Sequence, residues 1–347
     1  MYLKSWVHED ISIGLCYYAV DTSSYIPHQI KSGPGTFIVE EIIDENLLST
    51  DGDIHIYKID KAWGVDSTQI IEYLRRYGAY PLGRKDKYAD AIQYILSKRR
   101  MRKSGFEYVG SIPKGIRTSE LHIGNRFEIE VHVEDLARYR EDIEEIVYEK
   151  LLSSNIPNYY SYQRFGIFRI NHLRGYRLIR EVASLPQKDL GKEVTNTYGG
   201  KDIARLLINS FQAYVFNHTL NASIRRSGDL PKSLQKIFVK KIDGGEEVDG
   251  CPVLGYSLTD IPQDIEDILK IMGISVGELK RILYRLRYLG IDVYGDLRPT
   301  KIVFLETPEI EFQGQTAKIK FSISRGQYAT QVLREIFKPK YPSKQGY

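Results

Sequence analysis

The chain has 347 residues, 42% of them hydrophobic, and a formal net charge of +4; that length suits two domains, or one domain carrying a large insertion. No run of about 18 apolar residues occurs, so a membrane span is not expected, and the charged opening "MYLKSWVHEDISIG" lacks the apolar stretch of a secretory signal. The two isolated cysteines, Cys16 and Cys251, exclude a disulfide framework or a cysteine zinc site, and a cytoplasmic protein is the expectation.

From the N-terminus, "GTFIVEEII" (35–43) and "DIHIYKID" (53–60) alternate as strands do. "STQIIEYLRRYG" predicts a short helix with Ser67 as N-cap and Gly78 just past its end. "LGRKDK" reads as a turn, followed by strands in "IQYILSK", "GFEYVGSI" and "RFEIEVHV". The spacing of Leu136, Ile143, Ile146 and Val147 predicts a helix through "VEDLARYREDIEEIVYEKLLSS". The first half of the chain, 1 to about 165, thus reads as an α+β domain with a mostly antiparallel sheet. The pattern then turns helical. "GKDIARLLINSFQAYVFNHTLNASIRRSG" predicts one long helix ended by Gly228, followed by short strands and turns in "DGGEEVDGCPVLGY" and by helices in "IEDILKIM" and "SVGELKRILYRLRYLG". Strands return in "TKIVFLE" and "AKIKFSIS", and "QYATQVLREIFK" predicts a last helix. Similar strands at both ends of a helical centre imply a sheet domain interrupted by an insertion.

Charge is unevenly spread. From Arg84 to Lys103, eight basic residues accompany only two acidic ones, Asp86 and Asp90. A second basic cluster comprises Lys280, Arg281, Arg285 and Arg287, and the tail "KPKYPSKQGY" is a third. Such clusters suit a polyanionic partner, and the 26 tyrosines can stack on bases or fill half-buried positions. There is no Walker-A loop, no G-x-G-x-x-G after a strand and no H-E-x-x-H, and the histidines are scattered, so neither a metal nor a cofactor is expected. Chemistry then falls to a carboxylate or a lysine, with Asp86 the local candidate. In an extended turn Lys85 and Lys87 point away from it, toward phosphates, while the carboxylate faces a pocket. By charge alone, the same triplet reads more readily as a solvated cluster.

Longer patterns carry more. "GRKDKYADAIQ" (83–93) resembles the G-x-K-D-K-x-A-x-T-x-Q motif of the TruD family of tRNA pseudouridine synthases. In the same order, "IKSGPGTFIVEEI" (30–42) resembles its K-x-x-P-x-D-F-x-V-x-E element, "GNRF" (124–127) its G-N-x-F, "IPNYYSYQRFG" (156–166) its P-N-Y-F-G-x-Q-R-F-G, and "RGQYATQVLRE" (325–335) its G-S-[FY]-A-T-x-x-L-R-E. Weaker echoes are "FQAYVFN" and "CPVLGY".

The resemblance implies an α+β pseudouridine-synthase catalytic domain with a mostly antiparallel mixed sheet, in two parts (1–167 and 301–347), interrupted by an α/β TruD-type insertion domain (168–300). The cleft between them would hold RNA. It also implies isomerisation of uridine to pseudouridine in tRNA, at uridine 13 with uridine 35 of precursor tRNA(Tyr) as a second target. That reaction breaks the N1–C1′ bond, turns the uracil and rejoins it through C5, and it needs no cofactor. The resemblance makes Asp86 the catalytic carboxylate, with attack at C1′, attack at C6 and abstraction of a sugar proton all open to it, and makes Lys31 the cation that keeps it charged. Phe127 and Tyr328 would stack on a flipped base and Asn125 would position it. Lys85, Lys87, Asn158, Gln163, Arg164, Arg99, Arg100 and Arg102 would grip RNA or brace the loops, whereas Arg334 and Glu335 would pair inside the fold. The partner is tRNA, with no metal or membrane, and a monomer is expected. Four places depart from the motifs: Ala91 stands for Thr, Thr36 for Asp, Gln327 for Ser, and "YSYQ" for Y-F-G-x-Q. Ala91 supports the alternative, an RNA-binding or chaperone protein of this fold with weak or altered catalysis.

Overall fold

A computed structural model describes residues 1–21, 25–102, 104–233 and 235–347; Lys103, at the end of the first basic cluster, lies outside the described residues. The first part contains β1 (Phe37–Ile43), β2 (Ile54–Lys61), α1 (Ser67–Arg75), β3 (Ala79–Pro81), β4 (Asp90–Ser97), β5 (Glu107–Ile112), β6 (His122–Val133) and α2 (Leu136–Glu145). The centre contains α3 (Asn171–Ser184), α4 (Gln187–Tyr198), α5 (Lys201–Ser227), β7 (Lys236–Lys240), β8 (Gly245–Val253), α6 (Gln263–Ile271), α7 (Val276–Arg287) and β9 (Asp296–Pro299). The chain closes with β10 (Glu309–Gln313), β11 (Thr316–Ser324) and α8 (Ala329–Phe337).

The main sheet runs β10-β11-β6-β1-β4-β2-β5, with His28–Gln29 added beside β6 and β3 beside β4. Only β1 and β4 pair in parallel among the described strands, so the sheet is mostly antiparallel, as the strand pattern predicts, and mixed, as the resemblance implies. In β1 the period of two buries Phe37, Val39, Glu41 and Ile43 on one face. A carboxylate therefore shares the parity of the apolar core. Ile129 and Val131 of β6 pack with Ile143 of α2 and Val332 and Ile336 of α8 in that core. A second core gathers Leu178 and Val182 of α3, Val194 of α4, Leu269 of α6 and Leu283 of α7. The 27-residue α5 serves both: Ala204, Leu207, Ile208 and Phe211 face the second core, and Ala213, Phe216, Leu220 and Ile224 face the first.

Several expectations change. Asp66, not Ser67, caps α1, its carboxylate accepting from the Thr68 N–H at 2.7 Å. The helix expected from 133 to 154 gives way to a π-helical turn at Ile146–Lys150. Helices α3 and α4, absent from the sequence reading, occupy the start of the centre. "TKIVFLE" forms no strand beyond isolated bridges at Lys301 and Phe304. Its backbone is met instead by Gln327, whose Oε1 accepts from the Val303 N–H at 2.9 Å, and by Ile156 and Ser322 carbonyls. A side-chain amide satisfies what a ladder would otherwise bond.

Candidate active site

The segment Gly83–Ala89 is an irregular loop between β3 and β4, held from three sides. From the first side come residues 61–67. The buried Lys61 ammonium donates to the Ala89 carbonyl at 2.7 Å, the Gly64 N–H donates to the Lys87 carbonyl at 2.9 Å, and the Ser67 hydroxyl donates to the Lys85 carbonyl at 2.6 Å. Freed from capping, Ser67 is thus a tie to the loop.

The second side is the sheet. Lys85 turns inward, its ammonium 2.7 Å from Glu41 Oε1 and 2.7 Å from Asn125 Oδ1. Glu41 is fully buried and its other oxygen accepts from the Tyr94 N–H at 2.7 Å. Gly83 is required by this packing, because a Cβ there would sit 2.6 Å from Glu41 Oε1. Burial pushes the Lys85 ammonium below its ordinary value, against the pull of Glu41.

The third side is Lys31. Its ammonium lies 2.6 Å from Asp86 Oδ2 and 5.1 Å above the Phe37 ring. Lys31 holds a left-handed φ of 55°, a conformation that costs a non-glycine residue roughly 1 kcal/mol or more. The preceding Ile30 N–H is bonded to the Gln345 carbonyl, so the tail of the chain fixes the turn that delivers Lys31. Asp86 also accepts from the Tyr88 N–H at 3.2 Å, and its side chain keeps 29% of its surface exposed. Burial raises the Asp86 carboxyl, but Lys31, the Tyr88 N–H and Lys61 outweigh it and hold the group below its ordinary 3.8. The arrangement can present an ionised carboxylate to a ligand at the surface of a fixed loop.

Phe127 is buried on β6, opposite Val39 of β1, stacked on Phe321 at 5.4 Å and edge-on to Phe37. Asn125 lies two residues earlier on the same face, beneath Lys85. Tyr328 precedes α8, and its hydroxyl accepts from Arg164 Nε at 3.3 Å. Gln163 is exposed, with Oε1 accepting from Thr330 at 3.2 Å. Asn158 is fully buried: its amide donates to the Pro299 carbonyl at 2.9 Å and accepts from Arg298 at 2.7 Å. Arg298 in turn lies 4.0 Å over the Tyr160 ring. Lys87, Arg99, Arg100 and Arg102 are exposed, so Lys85 and Lys87 part company across the loop. Arg334 and Glu335 are inside the fold, though the close partner of Arg334 is Asp10 at 2.6 Å, with Glu335 at 3.9 Å.

At the departures, Ala91 is buried in the apolar core between Val39 and Lys61. The Thr36 hydroxyl donates to the Gly33 carbonyl at 2.6 Å, while Asp90 accepts from Gly35 at 2.6 Å and from Trp63 at 2.8 Å. Glu41, Lys61, Ser67 and Arg298 were missed as site residues. Glu41 had a signal, as the last residue of its motif; the others had none. Among the described residues no group of His, Cys, Asp and Glu is arranged to hold a metal ion, and no helix is long and apolar enough to cross a membrane.

Residues 12–185 match the sequence model of the family described as tRNA pseudouridine synthase D (TruD). The chain is 26% identical to the "Probable tRNA pseudouridine synthase D" of Pyrobaculum arsenaticum, over 97% of this chain and 98% of that one. It is also 26% identical to a tRNA pseudouridine synthase D of Thermus thermophilus, over 89% and 88% of the two chains. A crystal structure named TruD from Methanosarcina mazei superposes with a TM-score of 0.63 at 19% identity, covering 98% of this chain and all of that one, a likeness of fold.

Proposed function

This chain belongs to the TruD family of tRNA pseudouridine synthases, and from that premise we propose that it isomerises uridine to pseudouridine in tRNA with Asp86 as the reacting carboxylate. The observation carrying the role of Asp86 is its 2.6 Å pairing with Lys31 on a loop fixed from three sides. Breaking N1–C1′ and forming C5–C1′ within one nucleotide is redox-neutral and consumes no water. Such a step needs an ionised carboxylate beside the sugar and base, as nucleophile or as base. Lys31 keeps Asp86 in that form against burial.

The uracil reaches Asp86 only after leaving its stack, at a cost of a few kcal/mol. Stacking on aromatic rings returns roughly 1–3 kcal/mol per base; Phe127 and Tyr328 are the rings we assign to it, with Asn125 holding the loop through Lys85. The burial of Lys85 and Asn158 supports bracing roles, and the exposure of Lys87, Arg99, Arg100 and Arg102 supports phosphate contacts. Gln163 and Arg164 support Thr330 and Tyr328 at the edge of α8. The second apolar core lies wholly within 168–300 and supports an insertion there between catalytic parts at 1–167 and 301–347, with α5, Cys251 and Val253 packing it onto the first core.

Mapping pseudouridines in unmodified tRNA before and after treatment tests this reading. The wild type is expected to convert uridine 13, with uridine 35 of precursor tRNA(Tyr) read in the same assay. Asp86→Ala is expected to bind tRNA and convert none; undiminished conversion by that variant would remove Asp86 from the chemistry. Binding without conversion by the wild type would make this an RNA-binding protein of the same fold.

A further inference from the structure

We infer that the insertion carries a stacking surface for unpaired RNA nucleotides, formed by Tyr256, Tyr284, Tyr288, Tyr294 and Arg287. The inference rests on the reading of this chain as a tRNA-modifying enzyme. It starts from four tyrosine rings in consecutive edge contact: Tyr294 and Tyr256 at 5.4 Å, Tyr256 and Tyr284 at 5.9 Å, Tyr284 and Tyr288 at 5.6 Å. The Arg287 guanidinium lies 5.0 Å from the Tyr256 ring and 5.8 Å from Tyr284. Three of these rings stand clear of the core, Tyr284, Tyr288 and Tyr294 being 46%, 74% and 65% exposed, while Tyr256 is half-buried against the second core and anchors them. Helix α7 buries Leu279, Ile282, Leu283 and Leu286 on one side, which turns Arg281, Tyr284, Arg287 and Tyr288 outward on the other.

Two observations select RNA as the occupant. The first is charge: Arg281 and Arg287 are exposed on this same face and offer phosphate contacts beside the rings. The second is continuity. A cavity of about 220 Å³ is lined by Tyr294 on one side and by Tyr160 and Arg164 on the other. Arg164 lies 5.3 Å over the Tyr160 ring and reaches the Tyr328 hydroxyl, so this cavity is shared by the group around the proposed base-stacking Tyr328 and by Tyr294, the end of the tyrosine row that leads to α7. Asp292 and Asp296 also line that cavity, and Asp292 accepts from the Tyr256 hydroxyl at 2.7 Å. Carboxylates there disfavour phosphates and leave bases as the fitting groups. Rings already held by one another lose little freedom on stacking.

The test is Tyr284→Ala/Tyr288→Ala, at exposed positions away from Asp86, against Tyr284→Phe/Tyr288→Phe. Dissociation constants for an unmodified tRNA transcript and for a single-stranded oligouridine are measured beside turnover. The Ala pair is expected to weaken both by about tenfold or more, to raise KM for tRNA and to leave kcat unchanged, while the Phe pair retains wild-type affinity. Arg287→Gln is expected to lower the salt dependence of tRNA binding by about one contact. Wild-type affinity in the Ala pair overturns the inference, as does an equal loss in the Phe pair. A changed oligomeric state with unchanged tRNA affinity overturns it too, by making the face a contact between copies. Absence of pseudouridine formation by the wild type overturns the parent reading instead; normal conversion with unaltered affinity in the Ala pair overturns this inference alone.

Discussion

Asp86 and Glu41 are two carboxylates separated by one loop, and their environments assign them different work. Asp86 meets Lys31 at the surface, so its folded value lies below 3.8. A depressed carboxylate stabilises the fold above its unfolded value and loses that contribution as pH falls through the folded one. The acid limb of kcat/KM is therefore expected below about pH 4. Lys31→Met removes the cation and should move that limb upward by about one to three units, read from a pH–rate profile at constant ionic strength; an unmoved limb would show that another group holds the charge. Glu41 instead neutralises the buried Lys85 beneath the loop. Glu41→Gln leaves that ammonium unpaired and should cost about 3–5 kcal/mol, measured by urea unfolding, with kcat falling more than KM rises. Adding Lys85→Met should restore stability without restoring kcat, since the loop tie is still missing.

At the scale of elements, α8 shows how a helix is fixed by one buried cation. All nine of its residues are buried. Arg334 donates to Asp10 from both Nε and Nη2, to the Tyr17 and Leu15 carbonyls, and lies 3.8 Å over the Tyr18 ring. Asp10 is further met by Ser5, Tyr18 and Tyr162 hydroxyls, so the N-terminal segment, α8 and the "YSYQ" turn share one ion pair. Arg334→Met should destabilise by about 3–5 kcal/mol by leaving Asp10 buried and unpaired; chemical denaturation checks it, and Asp10→Asn in the same chain should recover part of the loss. The helix itself was legible from its apolar spacing. Its burial of Arg334 was implied by the resemblance, but the partner was not: Asp10 is 324 residues away, and nothing local marks it as buried. "TKIVFLE" failed for the converse reason: its β-branched run promised a ladder, and Gln327 supplied the bonds instead.

For the whole molecule, a cleft opens between the main sheet and the strands β7 and β9. It has a volume of about 860 Å³, is lined by Asp44, His122 and Arg325 on one side and Phe238, Val239 and Leu297 on the other, and is clasped by the Lys240–Asp44 pair. Exposed Arg99, Arg100 and Arg102 lie just past the end of β4. If they meet phosphates, replacing all three with Gln should reduce the slope of log affinity against log salt by about two to three units and weaken all tRNAs alike. A titration of tRNA affinity against salt concentration measures it, and an unchanged slope would take these arginines off the RNA.

Sequence alone was enough for six strands of the sheet and the long α5, though not for His28–Gln29, β3 or β10, and its five ordered motifs pointed to the loop proposed for chemistry. Those are local or collinear properties: period, caps and spacing lie in one stretch of chain. It took the folded chain to show that Lys85 faces inward to Glu41 while Lys87 faces out, that Ser67 ties the loop rather than caps α1, and that tyrosines 256, 284, 288 and 294 stand in consecutive ring contact. Each depends on which side of a strand, loop or helix meets a segment far away in sequence, and burial, not residue type, sets what such a charge or ring can do.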